Sequence, residues 1–145
     1  MPTNLRRAEA EYADLSLSGG YGELELASNV EDAVREADIA VDFVPDELES
    51  KLEIFSMIDR MAPPKTILCT PSEALSITDL ASCIYRPDRC VAMRGKLSSG
   101  NTVSLILPPL ARDETVGGVA GFLKRLGVSV DVVPDPEAPG LTKNG

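Results

Sequence analysis

One stretch, ADIAVDFVPDELESKLEIF at positions 37–55, constrains the possible folds of this chain more than any other. Positions 39–44 form a short apolar run that only Asp42 interrupts, which is typical of a strand covered on both faces. Pro45 has no N–H to donate and should end that strand. The apolar residues that follow are spaced three or four apart, as on one helical face: Leu48, Leu52, Phe55 and Ile58. The stretch therefore predicts a buried strand, a turn and an amphipathic helix.

Strands and helices alternate along the rest of the chain, and this predicts an α/β layered fold with a mainly parallel sheet. Further strands are expected at 66–70, 90–93, 103–107 and 128–133, and further helices at 76–84 and 113–126. Leucine and glutamate alternate at 23–27, which predicts a half-exposed strand. Ser28 to Glu31 has the spacing of a capping box and should begin a short helix.

The length of 145 residues suits one domain with a real core. We expect an N-terminal helix and loop at 1–22, an α/β core at 23–133 and a tail rich in proline and glycine at 134–145. In an α/β sheet, ligands bind at the carboxyl ends of the strands, so Val44, Pro45 and Asp46 lie where a ligand is expected. The same residues also fit a plain strand–helix unit without a ligand, and the pattern alone leaves both interpretations open.

Charge and composition limit the classes of partner that this chain is expected to bind. A net charge of −9 argues against nucleic acid and anionic membranes. No apolar run reaches the length of a membrane span, and the N-terminus lacks the apolar core of a signal peptide. The cysteines are odd in number and are expected to be reduced thiols of a cytoplasmic protein: Cys69, Cys83 and Cys90. The chain has no histidine and no CxxC pair, so no metal site is predicted.

Three sequence segments, in this order along the chain, resemble one protein family. They are VEDAVREADIAVDFVPDELESKLEIFSMIDRMAPPKTILCT at 30–70, ALSITDLASCIYRPDRCVAM at 74–93 and ARDETVGGVAGFLKRLGVSVDVVPDPEAPG at 111–140. Over roughly 28–140 the chain resembles the NAD-binding domain of the 3-hydroxyacyl-CoA dehydrogenases. The resemblance implies a partial Rossmann-like fold, NAD as cofactor and a place in fatty acid metabolism, where relatives oxidise 3-hydroxyacyl thioesters.

The resemblance also assigns cofactor-binding positions. In the family, the segment after the central strand lines the nicotinamide side of NAD, and a lysine of the next helix contacts the cofactor. The matching residues here are Val44, Pro45, Asp46 and Lys51, with Ser72 following the next strand. From helical spacing alone, Lys51 fits equally well as an exposed residue paired with Glu47 one turn earlier.

The chain differs from the family at the positions that bind the pyrophosphate and carry out catalysis. It has no strand–GxGxxG–helix turn for the pyrophosphate; the nearest imitation begins at Gly20 and has Glu25 in place of the third glycine. The family's catalytic serine matches Glu73 or its neighbour Ser72, and its catalytic histidine matches Arg94. A guanidinium stays protonated and does not act as a base. Two interpretations of Glu73 stay open: a buried carboxylate with a raised pKa, or an ionised partner of Arg94.

No catalytic position is therefore intact, and the resemblance predicts a degenerate member that is not catalytic on its own. Two alternatives remain: half of a split or truncated active dehydrogenase, or an assembly module that uses an open sheet edge. Without the family's first strands, positions 39–44 border an empty place in the sheet. The strand at 23–27, a complementing chain or a second copy would have to cover it. We expect the second copy, a dimer, because Glu23 and Glu25 suit an outer strand.

Overall fold

The computed structural model describes residues 26–136. They form four helices and five strands, which in chain order are α1 Val30–Val34, β1 Ile39–Val41, α2 Leu48–Met61, β2 Ile67–Pro71, α3 Ile77–Ala81, β3 Cys90–Arg94, β4 Thr102–Leu107, α4 Asp113–Arg125 and β5 Ser129–Pro134. No helix in this part of the chain has the length and apolar character needed to cross a bilayer.

The strands form a single sheet in the order β1-β2-β3-β4-β5. All neighbours run parallel except β3 and β4, which pair antiparallel with Met93 opposite Leu105. A loop at 95–101, with no helix, joins these two strands, and so short a connection only allows an antiparallel pair. The α/β fold with a mainly parallel sheet is therefore confirmed.

Helices cover both faces of the sheet. On the first face, α1, α2 and α3 pack over Ala40 and Leu68. On the second face, α4 packs over Ile67 and Cys69 through Val119. Successive residues of β2 thus enter opposite clusters, as the alternation of a strand requires. This double covering explains why the strand was predicted as a continuous apolar run.

Several boundaries differ from the sequence prediction. β1 ends at Val41 instead of position 44, although the Asp42 N–H still donates to the Cys69 carbonyl at 3.2 Å. Asn29, not Ser28, caps α1, and its Oδ1 accepts a 2.8 Å bond from the Asp32 N–H. The helix at 1–22, the loop there and positions 23–25 of the predicted strand lie outside the described residues. Positions 26 and 27 are described and are not part of a strand.

The C-terminal boundary also moves. β5 extends to Pro134, and Asp135 is 4% exposed, so the buried part of the chain continues into the predicted tail. The Asp135 carboxylate accepts bonds from the hydroxyl groups of Ser76 and Thr78 and from the Thr78 N–H, at 2.6–2.9 Å. These bonds tie the start of α3 to the end of β5.

Candidate functional site

The carboxyl ends of β1, β2 and β3 meet at one edge of the sheet because the three strands are parallel. The residues that directly follow β1 and β2, together with the end of β3, carry the polar side chains of this edge. Every candidate residue from the sequence analysis lies here or in the first turn of α2. The edge is where ligands bind in open α/β sheets.

Lys51 and Asp42 form a buried ion pair at this edge. Lys51 Nζ lies 2.8 Å from Asp42 Oδ1 and also donates to the Pro71 carbonyl at 3.0 Å. The two side chains are 1% and 2% exposed. The expectation of an exposed Lys51 paired with Glu47 is therefore wrong. The ammonium joins the end of β1 to the end of β2, and a contact between Lys51 and NAD stays a prediction.

Asp46 binds the turn after β2 with both carboxylate oxygens. Oδ1 accepts from the Ser72 hydroxyl at 2.6 Å, and Oδ2 accepts from the Glu73 N–H at 2.9 Å. Partial burial raises the pKa of Asp46, but these two bonds, the Lys51 charge and the Ala74 N–H together outweigh it. The net result is a pKa below the ordinary value, so Asp46 is an anion that holds two loops together.

Carboxylates at 46, 47 and 49 predict the first turn of a helix that includes Asp46, but Asp46 is not part of α2. The helix begins at Leu48 after Glu47, and Asp46 lies in the preceding turn. Val44 and Pro45 lie beside it and are at least partly exposed. Of the predicted cofactor-binding residues, Pro45 and Asp46 are exposed and Val44 is half-buried, whereas Lys51 and Ser72 are 1% and 4% exposed.

Arg94 and Glu73 occupy the family's catalytic positions and have separate partners. Arg94 Nε donates to the Ser72 carbonyl at 3.2 Å, and Nη2 donates to the Leu75 carbonyl at 3.3 Å. Glu73 is exposed, and its Oε1 accepts from the Gly95 N–H at 3.3 Å. No ion pair joins the two side chains within residues 26–136, and Glu73 is not a buried carboxylate. Both expectations for Glu73 are therefore wrong.

The described glycines do not form a phosphate-binding turn. Gly95 follows β3 with a φ of +119°, and a Cβ there would lie 2.9 Å from the Thr102 carbonyl, so the turn into the 95–101 loop requires glycine. Gly118 lies inside α4, and a Cβ there would lie 3.1 Å from Ile67 Cδ1. Gly118 thus allows close packing of helix on sheet, whereas a Cβ at Gly117 or Gly121 would meet nothing within 4 Å.

The two buried cysteines are not poised as nucleophiles. Cys69 and Cys90 are fully buried, and burial raises the pKa of the Cys90 thiol to about 12, so it stays protonated at neutral pH. All three cysteines are free thiols. Within the described residues, no three side chains of the Cys, Asp and Glu types come together as metal ligands would.

A mainly parallel sheet covered by helices on both faces defines a Rossmann-like α/β domain. Within that class, the sequence identifies one family. The chain belongs to the 3-hydroxyacyl-CoA dehydrogenase family, whose NAD-binding domain matches residues 6–130.

The relatives that this chain matches are longer proteins. A probable 3-hydroxybutyryl-CoA dehydrogenase of Bacillus subtilis is 28% identical over 123 residues, which are 83% of this chain and 42% of that protein. The crystal structure of (S)-3-hydroxybutyryl-CoA dehydrogenase from Ralstonia eutropha matches with a TM-score of 0.71 at 22% identity, over 81% of this chain and 42% of that one. The chain thus spans less than half the length of these relatives.

A third comparison reaches nearly the whole chain. The structure of 5-formyl-3-hydroxy-2-methylpyridine 4-carboxylic acid 5-dehydrogenase, an NAD⁺-dependent dismutase, matches with a TM-score of 0.76 at 22% identity. It covers 99% of this chain and 50% of that one. At this identity the likeness shows a shared fold.

Proposed function

We propose that this chain is a degenerate member of its family that does not oxidise 3-hydroxyacyl thioesters with NAD on its own. One observation carries the proposal: the family's histidine position holds Arg94, whose guanidinium is bonded to two backbone carbonyls. A guanidinium keeps its protons at any working pH, so it does not accept the substrate's hydroxyl proton. The relatives named as 3-hydroxybutyryl-CoA dehydrogenases support fatty acid metabolism as the setting of the ancestral activity.

The neighbouring residues do not replace the missing base. Glu73 is exposed and accepts from the Gly95 N–H, so it lacks the burial that tunes a carboxylate for proton transfer. Ser72 donates its hydroxyl hydrogen to Asp46 and is buried. The edge therefore offers no group poised to exchange a proton with a bound alcohol.

The described residues fit one part of NAD only. Val44 and Pro45 are open to a ligand and suit the flat nicotinamide ring, which NAD uses to accept hydride. Lys51, however, is 1% exposed and bonded to Asp42 and Pro71. No strand in residues 26–136 is followed by a glycine turn that opens a helix, so this part lacks a pyrophosphate cradle. We therefore propose weak NAD binding and derive no reaction step through the cofactor.

The purified chain should produce no NADH from 3-hydroxyacyl-CoA and NAD. Loss of the base alone removes the roughly 10²–10⁴-fold that general-base catalysis contributes. The measurement is absorbance of NADH with 3-hydroxybutyryl-CoA, and the Bacillus subtilis relative, assayed in parallel, shows that the assay works. NADH formation above that of an Arg94→Ala, Glu73→Ala variant would contradict the proposal.

NAD should bind with a dissociation constant no better than about millimolar, or roughly −4 kcal/mol. If only the nicotinamide flank contributes, nicotinamide mononucleotide should bind within about threefold of NAD, because the second phosphate and the adenosine find no partner. Calorimetry with both ligands measures this. Micromolar binding of NAD with weak mononucleotide binding would mean that a pyrophosphate site exists, and would overturn this part of the proposal.

A further inference from the structure

The edge of β1 carries backbone groups that the described sheet does not pair. The Ile67 N–H donates to the Asp38 carbonyl at 2.9 Å, and the Asp42 N–H donates to the Cys69 carbonyl at 3.2 Å. In a parallel ladder, residues of one parity bond to one neighbouring strand and those of the other parity to the opposite side. Ile39 and Val41 therefore direct their N–H and C=O groups away from β2, to the free edge.

The two faces beside this edge differ in chemistry. On the first face, an apolar cleft of about 350 Å³ lies between α1, β1 and α2, lined by Val30, Val34, Ile54 and Ile58. On the second face, a cleft of about 450 Å³ borders Ile39 and is lined by Phe122, Arg125 and the ion pair of Lys65 with Asp38 at 2.9 Å. A strand that fits this edge should have apolar side chains on one face and acidic ones on the other.

We propose that residues 23–27, Glu-Leu-Glu-Leu-Ala, dock on the free edge of β1 as a parallel strand. Leu24 and Leu26 then enter the apolar cleft on the first face. Glu23 and Glu25 lie on the second face, towards Lys65 and Arg125. The alternation in the sequence thus matches both clefts at once. Leu26 is 42% exposed in the structure, and docking buries it.

The connection has the length and hand of a standard crossover. Eleven residues, 28 to 38, separate the segment from β1 and contain α1, which meets the minimum of about 10–12 residues for a crossover between parallel strands. α1 lies on the same face as α2 and packs against it. A strand outside β1, joined through α1, therefore repeats the hand of the β1–α2–β2 crossover, which nearly all parallel sheets share.

Charge disfavours a second copy as the occupant. The exposed side of α1, next to the apolar cleft, carries Glu31, Asp32 and Glu36, and its one cation, Arg35, is paired with Asp32. A two-fold contact would bring two such acidic rims together in a chain whose net charge is −9. The internal segment also competes at the high effective concentration of a tethered ligand.

Hydrogen exchange of the unmodified chain tests the proposal directly. The Ile39 and Val41 amides should exchange at least about tenfold more slowly than an unprotected amide, and as slowly at 20 µM as at 500 µM. The Ala40 and Asp42 amides, which face β2, report that the sheet is folded. Fast exchange at Ile39 and Val41 with slow exchange at Ala40 and Asp42 would overturn the proposal.

A pair of variants identifies the occupant. Leu24→Lys should restore fast exchange at Ile39 and Val41 and leave Ala40 and Asp42 protected, whereas Leu110→Lys, the same change at a site 66% exposed elsewhere, should alter none of them. Sedimentation of the unmodified chain should give a monomer. Protection that survives Leu24→Lys, or that appears only together with dimer or with an added protein, would assign the edge to another chain and overturn the proposal.

Discussion

Lys51→Met should lower the free energy of unfolding by about 3–5 kcal/mol, the usual cost of removing one member of a buried ion pair. The loss arises because Asp42, 2% exposed, would keep a charge that no cation offsets, and because the Pro71 carbonyl would lose its donor. Small domains are stable by about 5–15 kcal/mol, so the variant should be close to partly unfolded at room temperature. Urea denaturation followed by circular dichroism measures the change.

Two further variants show whether the charge is the cause. Lys51→Met combined with Asp42→Asn should regain most of the loss, because replacing both charges of a buried pair is often neutral. Lys65→Met is the matched control: its pair with Asp38 is 57% and 83% exposed, and its removal should cost less than about 1 kcal/mol. Equal losses of unfolding free energy for Lys51→Met and Lys65→Met would show that the buried pair stabilises the protein no more than the exposed one.

The Lys51–Asp42 pair shows which structural features could be predicted from the sequence and which could not. The apolar run at 39–44, the proline after it and the helical spacing of Phe55 and Ile58 are local signals, and the structure has the strand, the turn and the helix. Asp42 was noted only as an interruption of that run. A carboxylate in a strand covered on both faces needs a buried cation, and this was a usable signal. The choice of Lys51 depends on how α2 lies over β1, which the local pattern does not specify.

Arg94 and Glu73, in contrast, have hydrogen-bond partners that no signal in the sequence indicates. The resemblance matched them to the family's catalytic positions, and the expected ion pair between them is absent within residues 26–136. Arg94 instead donates to the carbonyls of Ser72 and Leu75, and Glu73 accepts from the Gly95 N–H. Backbone groups at turns compete with side chains for hydrogen bonds, and every turn has them, so residue types alone do not reveal the pairing.

Arg86 carries a second buried network. Its guanidinium donates to the Asp59 carboxylate at 2.8 Å and to four backbone carbonyls at 2.7–3.2 Å, those of Asp59, Ala62, Pro63 and Thr66. The side chains of Arg86 and Asp59 are 11% and 4% exposed. The carbonyls belong to the end of α2 and the connection to β2, where a helix leaves its last C=O groups without internal partners.

Arg86→Ala should therefore cost about 3–5 kcal/mol of unfolding free energy, because it leaves a buried carboxylate and several carbonyls unpaired at once. Arg86→Lys should regain less than about half of that loss, because an ammonium does not reproduce the planar fork of five donors. Arg89→Ala serves as the control: its nearest carboxylate, that of Glu114, is 3.9 Å away and 78% exposed, so the expected cost is below about 1 kcal/mol. The urea midpoints of the three variants show whether the positive charge of Arg86 or the geometry of its hydrogen bonds stabilises the protein. If Arg86→Lys were as stable as the unmodified chain, the charge would suffice and the fork of hydrogen bonds at the end of α2 would contribute nothing measurable.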